Sequence, residues 1–306
     1  MFNPENWPIG ASMLSFGNRG PNGDHINDAP AEFWAETLRQ VKALGIAAID
    51  PTDAGIDLAA LSDERLDEFS DVLDDTGVKV ISLSMSRRSI AHETDGEAHL
   101  ETAFKNVEIA KRLDVPVLNI GYFGPLTSAQ EEAAWFWYAE GYKCDHSSRD
   151  MALERTRELG DRCKEAGVEL SLEMYEDTYV GTADDAVSFI TDLDHEAVGL
   201  NPDIANLQRL HQPVEHWEDA FMKVLPHTNF FHVKNYLRDY DPSTGAYFSA
   251  PVPMKYGIIN YRTVFRKALE LGYSGPIHCE HYGNDAIAVI AENIRYTREI
   301  LTSLSV

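Results

Sequence analysis

The sequence predicts an α/β fold, a single (β/α)8 barrel over residues 1–306, on three observations. Short apolar runs alternate with amphipathic stretches eight times, no shift of composition divides the chain, and 306 residues suit one such barrel. A doubly wound sheet is the structural rival, but eight units and this length favour the barrel. No Gly-rich phosphate loop of the dinucleotide or P-loop type follows any strand.

Taken in order, residues 8–16 read as the first strand and 31–44 as the first helix. Residues 46–49 form a second strand ending at Asp50-Pro51, 61–75 are helical in composition, and 78–85 make a third strand. Residues 99–113 place Leu100, Phe104, Val107 and Ala110 on one helical face, and 115–122 follow as strand four. The stretch 128–166 reads as mostly helical, with a loop at 141–148. Strand five is 168–175, with a helix at 183–193; strand six is 197–203, with a helix at 214–224; strand seven is 229–235. A polar segment with Pro and Gly, 239–257, reads as a long loop, and 247–256 within it as a candidate lid or oligomer contact. A helix at 261–271, strand eight at 276–281 and a last helix at 287–301 complete the count.

Composition bounds the function. Lysine and arginine number 26 against 50 acidic residues, a formal net charge of −24. That excess reads as a solvated acidic surface, and it lacks the basic footprint that nucleic acid or an anionic membrane requires. No apolar run is long enough to span a bilayer, the first ten residues lack a basic-then-apolar leader pattern, and three cysteines have no metal-type spacing. A cytoplasmic protein with reduced thiols is expected.

Strand parity locates the candidate site. Side chains alternate along a strand, and barrel chemistry sits at strand C-termini. In strand five Val168, Leu170, Leu172 and Met174 face outward, leaving Glu169, Ser171, Glu173 and Tyr175 inward. By the same alternation Asp203, His232 with Lys234, and His278 with Glu280 point inward from strands six, seven and eight. Taken singly, a Glu at a strand end is often a cap and an inward His a core residue. Four on successive strands are harder to dismiss, because three buried carboxylates repel unless a cation lies among them. Glu173, Asp203, His232 and Glu280 are therefore expected to hold one divalent ion. The hard, oxygen-rich set suits Mn2+ best, with Mg2+, Co2+ and Zn2+ compatible.

These pieces resemble the xylose isomerase-like TIM-barrel superfamily of sugar isomerases, 3-epimerases and family 2 apurinic endonucleases. The resemblance runs from about residue 8 to 301 and rests on LEMY at 172–175, LNPDIAN at 200–206, FHVK at 231–234 and GYSGPIHCE at 272–280. It implies the same four metal ligands, with Glu173 and Glu280 also moving the substrate proton. It matches Arg238 to a substrate-contacting arginine and puts Asn206 where the 3-epimerases carry a histidine. Lys234 is a further candidate for substrate oxygens, or the neutraliser of a neighbouring acid. Most of the endonucleases' additional zinc-binding histidines are missing. The opening WPIGA at 7–11, the aromatic WFWY at 135–138 leading to His146, and the 247–256 stretch resemble the catalytic subunit of bacterial C-glycoside deglycosylating enzymes. That resemblance implies β-elimination from a 3-oxo-glycoside, His146 as base, and an oligomer with a small second subunit. The aromatic stretch is read either as helix packing or as a sugar- or aglycone-binding wall. The expected substrate is a small sugar or glycoside. Two alternatives stand: a metal-independent glycoside hydrolase with paired carboxylates, and a non-catalytic sugar-binding or partner subunit.

Overall fold

The computed structural model describes residues 3–283 and 285–305, so the two ends of the expected 1–306 domain lie outside the described residues. In chain order the first elements are β1 (Ile9–Ser12), α1 (Ala31–Ala43), β2 (Ala48–Asp50) and α2 (Asp63–Thr76). They continue with β3 (Lys79–Val80), β4 (Leu83–Ser84), α3 (Gly96–Arg112), β5 (Val117–Ile120), α4 (Ser128–Glu132) and α5 (Arg149–Ala166). Then come β6 (Glu169–Glu173), α6 (Ala183–Leu193), β7 (Val198–Asn201), α7 (Ile204–Gln208), α8 (Trp217–Val224) and β8 (Phe231–Val233). The chain ends with β9 (Asn235–Asp241), β10 (Ala246–Val252), α9 (Tyr261–Glu270), β11 (Ile277–Cys279) and α10 (Ala286–Leu304).

Two parallel arcs, ordered β3-β2-β1-β11-β8 and β4-β5-β6-β7, make the barrel wall. The third barrel strand is broken into β3 and β4. A parallel bridge between Thr52 and Ser84 joins the arcs on that side, and one between Leu200 and Thr228 joins them on the other. Eight parallel strand positions therefore close in chain order, as the alternation predicts. Helix faces bury Leu38, Phe69, Val107, Leu159, Phe189 and Phe265 against the barrel's outside. Local chemistry sets the helix limits: Ser62, Thr127 and Thr182 accept N-terminal amide hydrogens, while Gly77 and Gly167 leave α2 and α5 with φ of 61° and 73°.

Three expectations need correction. Residues 239–257 are not a loop: β9 and β10 pair antiparallel from Asn235↔Val252 to Asp241↔Ala246, and the turn begins with Asp241 accepting from Ser243 and Thr244. Polar residues disguise the hairpin because one of its faces is solvated, with Leu237 and Phe248 exposed. Next, the helical reading of 128–166 fails over 133–148, well before the expected interruption at 141. The WFWY stretch is a single 3-10 turn (Phe136–Tyr138) whose rings pack on the hairpin, Trp137 Nε1 donating to Ser249 Oγ at 2.9 Å. Large aromatic side chains found better partners across the barrel mouth than along their own helix. Finally, a short helix, α7, follows β7 directly where no helix was foreseen.

Candidate metal centre

All four expected ligands are buried at the C-terminal mouth of the barrel. Each is delivered as parity predicts: Glu173 ends β6, Asp203 lies two residues past β7, His232 is central in β8, and Glu280 follows β11. Atoms of Glu173, Asp203 and His232 lie within 4.8 Å of one another, a spacing one ion can bridge. Glu280 lies beside this group, with Oε2 at 3.7 Å from His232 Nδ1; Glu173 Oε2 lies at 3.5 Å from the same nitrogen.

The remaining polar groups show what the set lacks. Asp203 Oδ1, His232 Nδ1 and Glu280 Oε1 are buried with no hydrogen-bond partner among the described residues. Buried carboxylate oxygens and an imidazole nitrogen without partners are what a hard divalent ion takes up. The residues fit the ion the sequence calls for.

Other side chains hold the ligands in place. Asn119 Nδ2 donates to Glu173 Oε2 at 3.1 Å, and its Oδ1 accepts from Asn201 Nδ2 at 3.3 Å. Asn201 Oδ1 in turn accepts the His232 backbone N–H at 2.7 Å. The other ring nitrogen, His232 Nε2, donates to Asp50 Oδ2 at 2.9 Å. The sequence places Asn201 inward on strand six without a role and leaves Asp50 and Asn119 unmarked; the same alternation on strands two and four points to these two, which lie near their strands' C-terminal ends.

Electrostatics follow from burial and these contacts. Burial pushes the Glu173 carboxyl up, but the contact and charge of His232, with Lys234 and Asn119, bring it down to about 2. Burial pushes Asp203 up to about 6, with Lys234 opposing and the charges of Glu280 and Glu173 adding. Burial disfavours a charged His232, yet Asp50 and Glu173 together hold its imidazolium well above the usual range. Burial lowers His278, two residues before Glu280, to about 4.

The expected substrate contacts are placed differently from one another. Lys234 is fully inside the cluster, its ammonium bonded to Asp203 and to Glu280 Oε2, the latter at 3.0 Å, so it neutralises acids. Asn206 Nδ2 donates to Glu173 Oε1 at 3.1 Å and to the Met174 carbonyl at 3.0 Å. Arg238, on the hairpin, donates to the carbonyls of Gln208, Leu210 and Gln212, clamping the segment after α7 instead of facing the cluster. His146 stands exposed in a 3-10 turn, its ring 6.3 Å from Tyr179, and lines neither hollow described below.

Two adjoining hollows open at the mouth. The inner one is lined by Glu173, His232 and Glu280 with Thr52, Ser84 and Tyr282. The outer one is bounded by Trp137, Tyr142, Lys143, Glu176 and His211. Arg87, Phe123 and Tyr175 line both and form the wall between them. Phe123 stacks on Tyr175 at 4.3 Å, and Arg87 donates to Gly124 O at 3.1 Å. Arg87 adopts φ of 56°, a left-handed conformation that costs a non-glycine residue about 1–3 kcal/mol and that recurs at functional sites. No sequence signal marked it.

Residues 38–300 match the family described as xylose isomerase-like TIM barrel. The chain belongs to that family. A xylose isomerase-like TIM barrel protein from Mycobacterium smegmatis, solved in complex with magnesium, is 54% identical over 100% of both chains, with a TM-score of 0.97. The 3-keto-D-glucoside 4-epimerase from E. coli shares the fold at 13% identity, covering 96% of this chain and 100% of its own, with a TM-score of 0.67. D-psicose 3-epimerase from Clostridium cellulolyticum H10, solved with D-tagatose, does so at 14% identity over 97% and 98%, with a TM-score of 0.62. No curated protein matches the sequence. Among the described residues no helix of this barrel is long and apolar enough to cross a membrane.

Proposed function

We propose that this protein is a divalent-metal-dependent carbohydrate enzyme that moves a proton next to a carbonyl carbon. The observation that carries the reading is the buried group of Glu173, Asp203 and His232, whose ligand atoms lie within 4.8 Å of one another, with Glu280 beside His232 and atoms of Asp203, His232 and Glu280 left without partners among the described residues. The magnesium in the Mycobacterium smegmatis relative supports an oxygen-preferring ion, Mg2+ or Mn2+, in this group. Two low-identity neighbours act on a keto-glucoside and on a ketose, which supports an oxo-sugar as substrate.

When bound, the ion supplies Lewis-acid polarisation of a substrate oxygen. The chain's own residues do the rest. Glu173 and Glu280 both line the inner hollow beside His232, so one carboxylate accepts the C–H proton while the electron pair passes toward the carbonyl oxygen. Return of a proton by the other carboxylate to the opposite face inverts the centre, an epimerisation. From a 3-oxo-glycoside the same abstraction at C2 permits β-elimination: the electron pair becomes the C1–C2 double bond, and the aglycone leaves with its bonding pair and takes up a proton. Asn206 and Asn119 keep Glu173 aimed, and Tyr282 with Phe123 and Tyr175 excludes water.

The outer hollow favours the elimination. A free ketose has one ring to place, whereas a second hollow adjoining the inner one across Arg87, Phe123 and Tyr175 suits the second ring of a glycoside. Glu173 and Glu280 are assigned the proton transfer in preference to His146, which lies clear of both hollows. The test is turnover of free ketoses against 3-oxo O- and C-glycosides by metal-free and Mn2+- or Mg2+-loaded protein, with Glu173→Gln and Asp203→Asn alongside. Activity only when metal-loaded, and lost in both variants with the fold intact, is expected; full turnover by metal-free protein overturns the reading in favour of a metal-independent hydrolase.

A further inference from the structure

We infer that Asp50 is a positioning residue for His232, accepting the Nε2 hydrogen and thereby presenting Nδ1 to Glu173, Asp203 and Glu280. The inference rests on the proposed metal-dependent reading. Asp50 is fully buried at the end of β2, 182 positions from His232 in sequence. Both of its oxygens are engaged. Oδ1 accepts from Ser82 Oγ at 2.7 Å, while Oδ2 accepts from Ser84 Oγ at 2.8 Å and from His232 Nε2 at 2.9 Å. The serines are two residues apart across the break between β3 and β4, so both face inward onto one carboxylate.

This arrangement is costly if it serves only the fold. Among the described residues no lysine or arginine contacts Asp50, and two hydroxyls and an imidazole compensate a carboxylate removed from water. A smaller or apolar residue would fill the place at less cost. The carboxylate supplies what such a residue does not: it selects the tautomer with hydrogen on Nε2, fixes the ring plane, and makes Nδ1 a stronger donor toward a cation. Ser84 also accepts from Asn119 Nδ2 at 3.1 Å, the amide that holds Glu173 Oε2, so one chain of contacts orients two ligands from the far side of the barrel.

The experiment is calorimetric titration of metal-free wild type, Asp50→Ala and Asp50→Asn with MgCl2 and MnCl2, plus the absorption spectrum of Co2+-loaded protein, which reads ligand geometry. Both variants are expected to bind about 10- to 100-fold more weakly, with a shifted Co2+ band and an unchanged circular dichroism spectrum. A double-mutant cycle separates positioning from general damage: in a His232→Gln background, Asp50→Ala should lose most of its effect on affinity. If Asp50→Ala does not fold, the Ser82→Ala/Ser84→Ala protein, which keeps the carboxylate but frees it, should still weaken binding several-fold. Wild-type affinity and spectrum in these variants, or an equal loss in the His232→Gln background, overturns the inference. Failure of the wild type to bind either ion overturns the metal reading itself, a distinguishable result.

Discussion

Asn206 Nδ2 lies 3.1 Å from Glu173 Oε1 and also donates to the Met174 carbonyl, so a side chain from α7 sets the direction of a carboxylate at the end of β6. Its position, three residues after Asp203, is where a substrate contact was expected, and the contact it makes is with a ligand instead. Asn206→Ala should raise the Kd for Mn2+ by about tenfold while costing about 1–2 kcal/mol of stability. Titration of metal-free protein together with a denaturant curve checks both. Unchanged affinity would mean that Glu173 is aimed by Asn119 alone.

Lys234 stands in for positive charge among the acids, bonded to Asp203 and Glu280. Replacing it with methionine leaves those carboxylates buried without their ammonium, a loss of about 3–5 kcal/mol in metal-free protein. Because a divalent ion neutralises the same oxygens, MnCl2 should raise the Tm of Lys234→Met by more than it raises that of the wild type. Equal metal-induced shifts in the two proteins would contradict this role.

The raised His232 pKa gives a pH dependence of definite sign. In metal-free protein, despite burial, Asp50 and Glu173 keep the imidazole protonated above its ordinary range, whereas coordination needs the Nδ1 lone pair. Metal uptake must therefore release a proton, and affinity must rise with pH, by about tenfold per unit for one proton. Calorimetry at pH 7 in two buffers of different ionisation enthalpy measures the release. Uptake without proton release would place the metal away from His232.

Arg209 is a buried cation with a structural task. Its Nη2 lies 3.1 Å from both oxygens of Glu176, and its guanidinium carbon is 4.8–5.2 Å from the rings of Phe136, Tyr175 and Trp137. Glu176→Ala strands that charge and should destabilise the fold by about 3–5 kcal/mol, read by chemical denaturation. The Glu176→Ala/Arg209→Met double variant should recover much of the loss, and no recovery would show that Glu176 acts by another contact.

Much of this protein was legible without coordinates, and the limits of that legibility have physical causes. Period-two alternation is a local property, so Glu173, Asp203, His232 and Glu280 could be assigned to the barrel interior one strand at a time. Their meeting follows because parallel strands all end at one mouth. The eight-strand order was legible for the same reason: each apolar run and each helix face is encoded within a few turns of chain. Asp50 could have been found by the same parity, but its purpose is a contact with a residue far along the sequence. The hairpin at 235–252 was hidden because its pairing, not its apolarity, defines it. The WFWY segment left its helix because partners on β10 and at Arg209 outweigh local propensity. Arg238 and Asn206 were assigned to substrate by position, but carbonyl and carboxylate acceptors on neighbouring segments claim their donors. Tertiary structure also made the outer hollow, whose wall takes Arg87, Phe123 and Tyr175 from the ends of three different strands. The sequence by itself determined the barrel and the inward placement of the candidate metal ligands, because both are written in short-range periodicity; closure of the barrel decided what each remaining polar group touches.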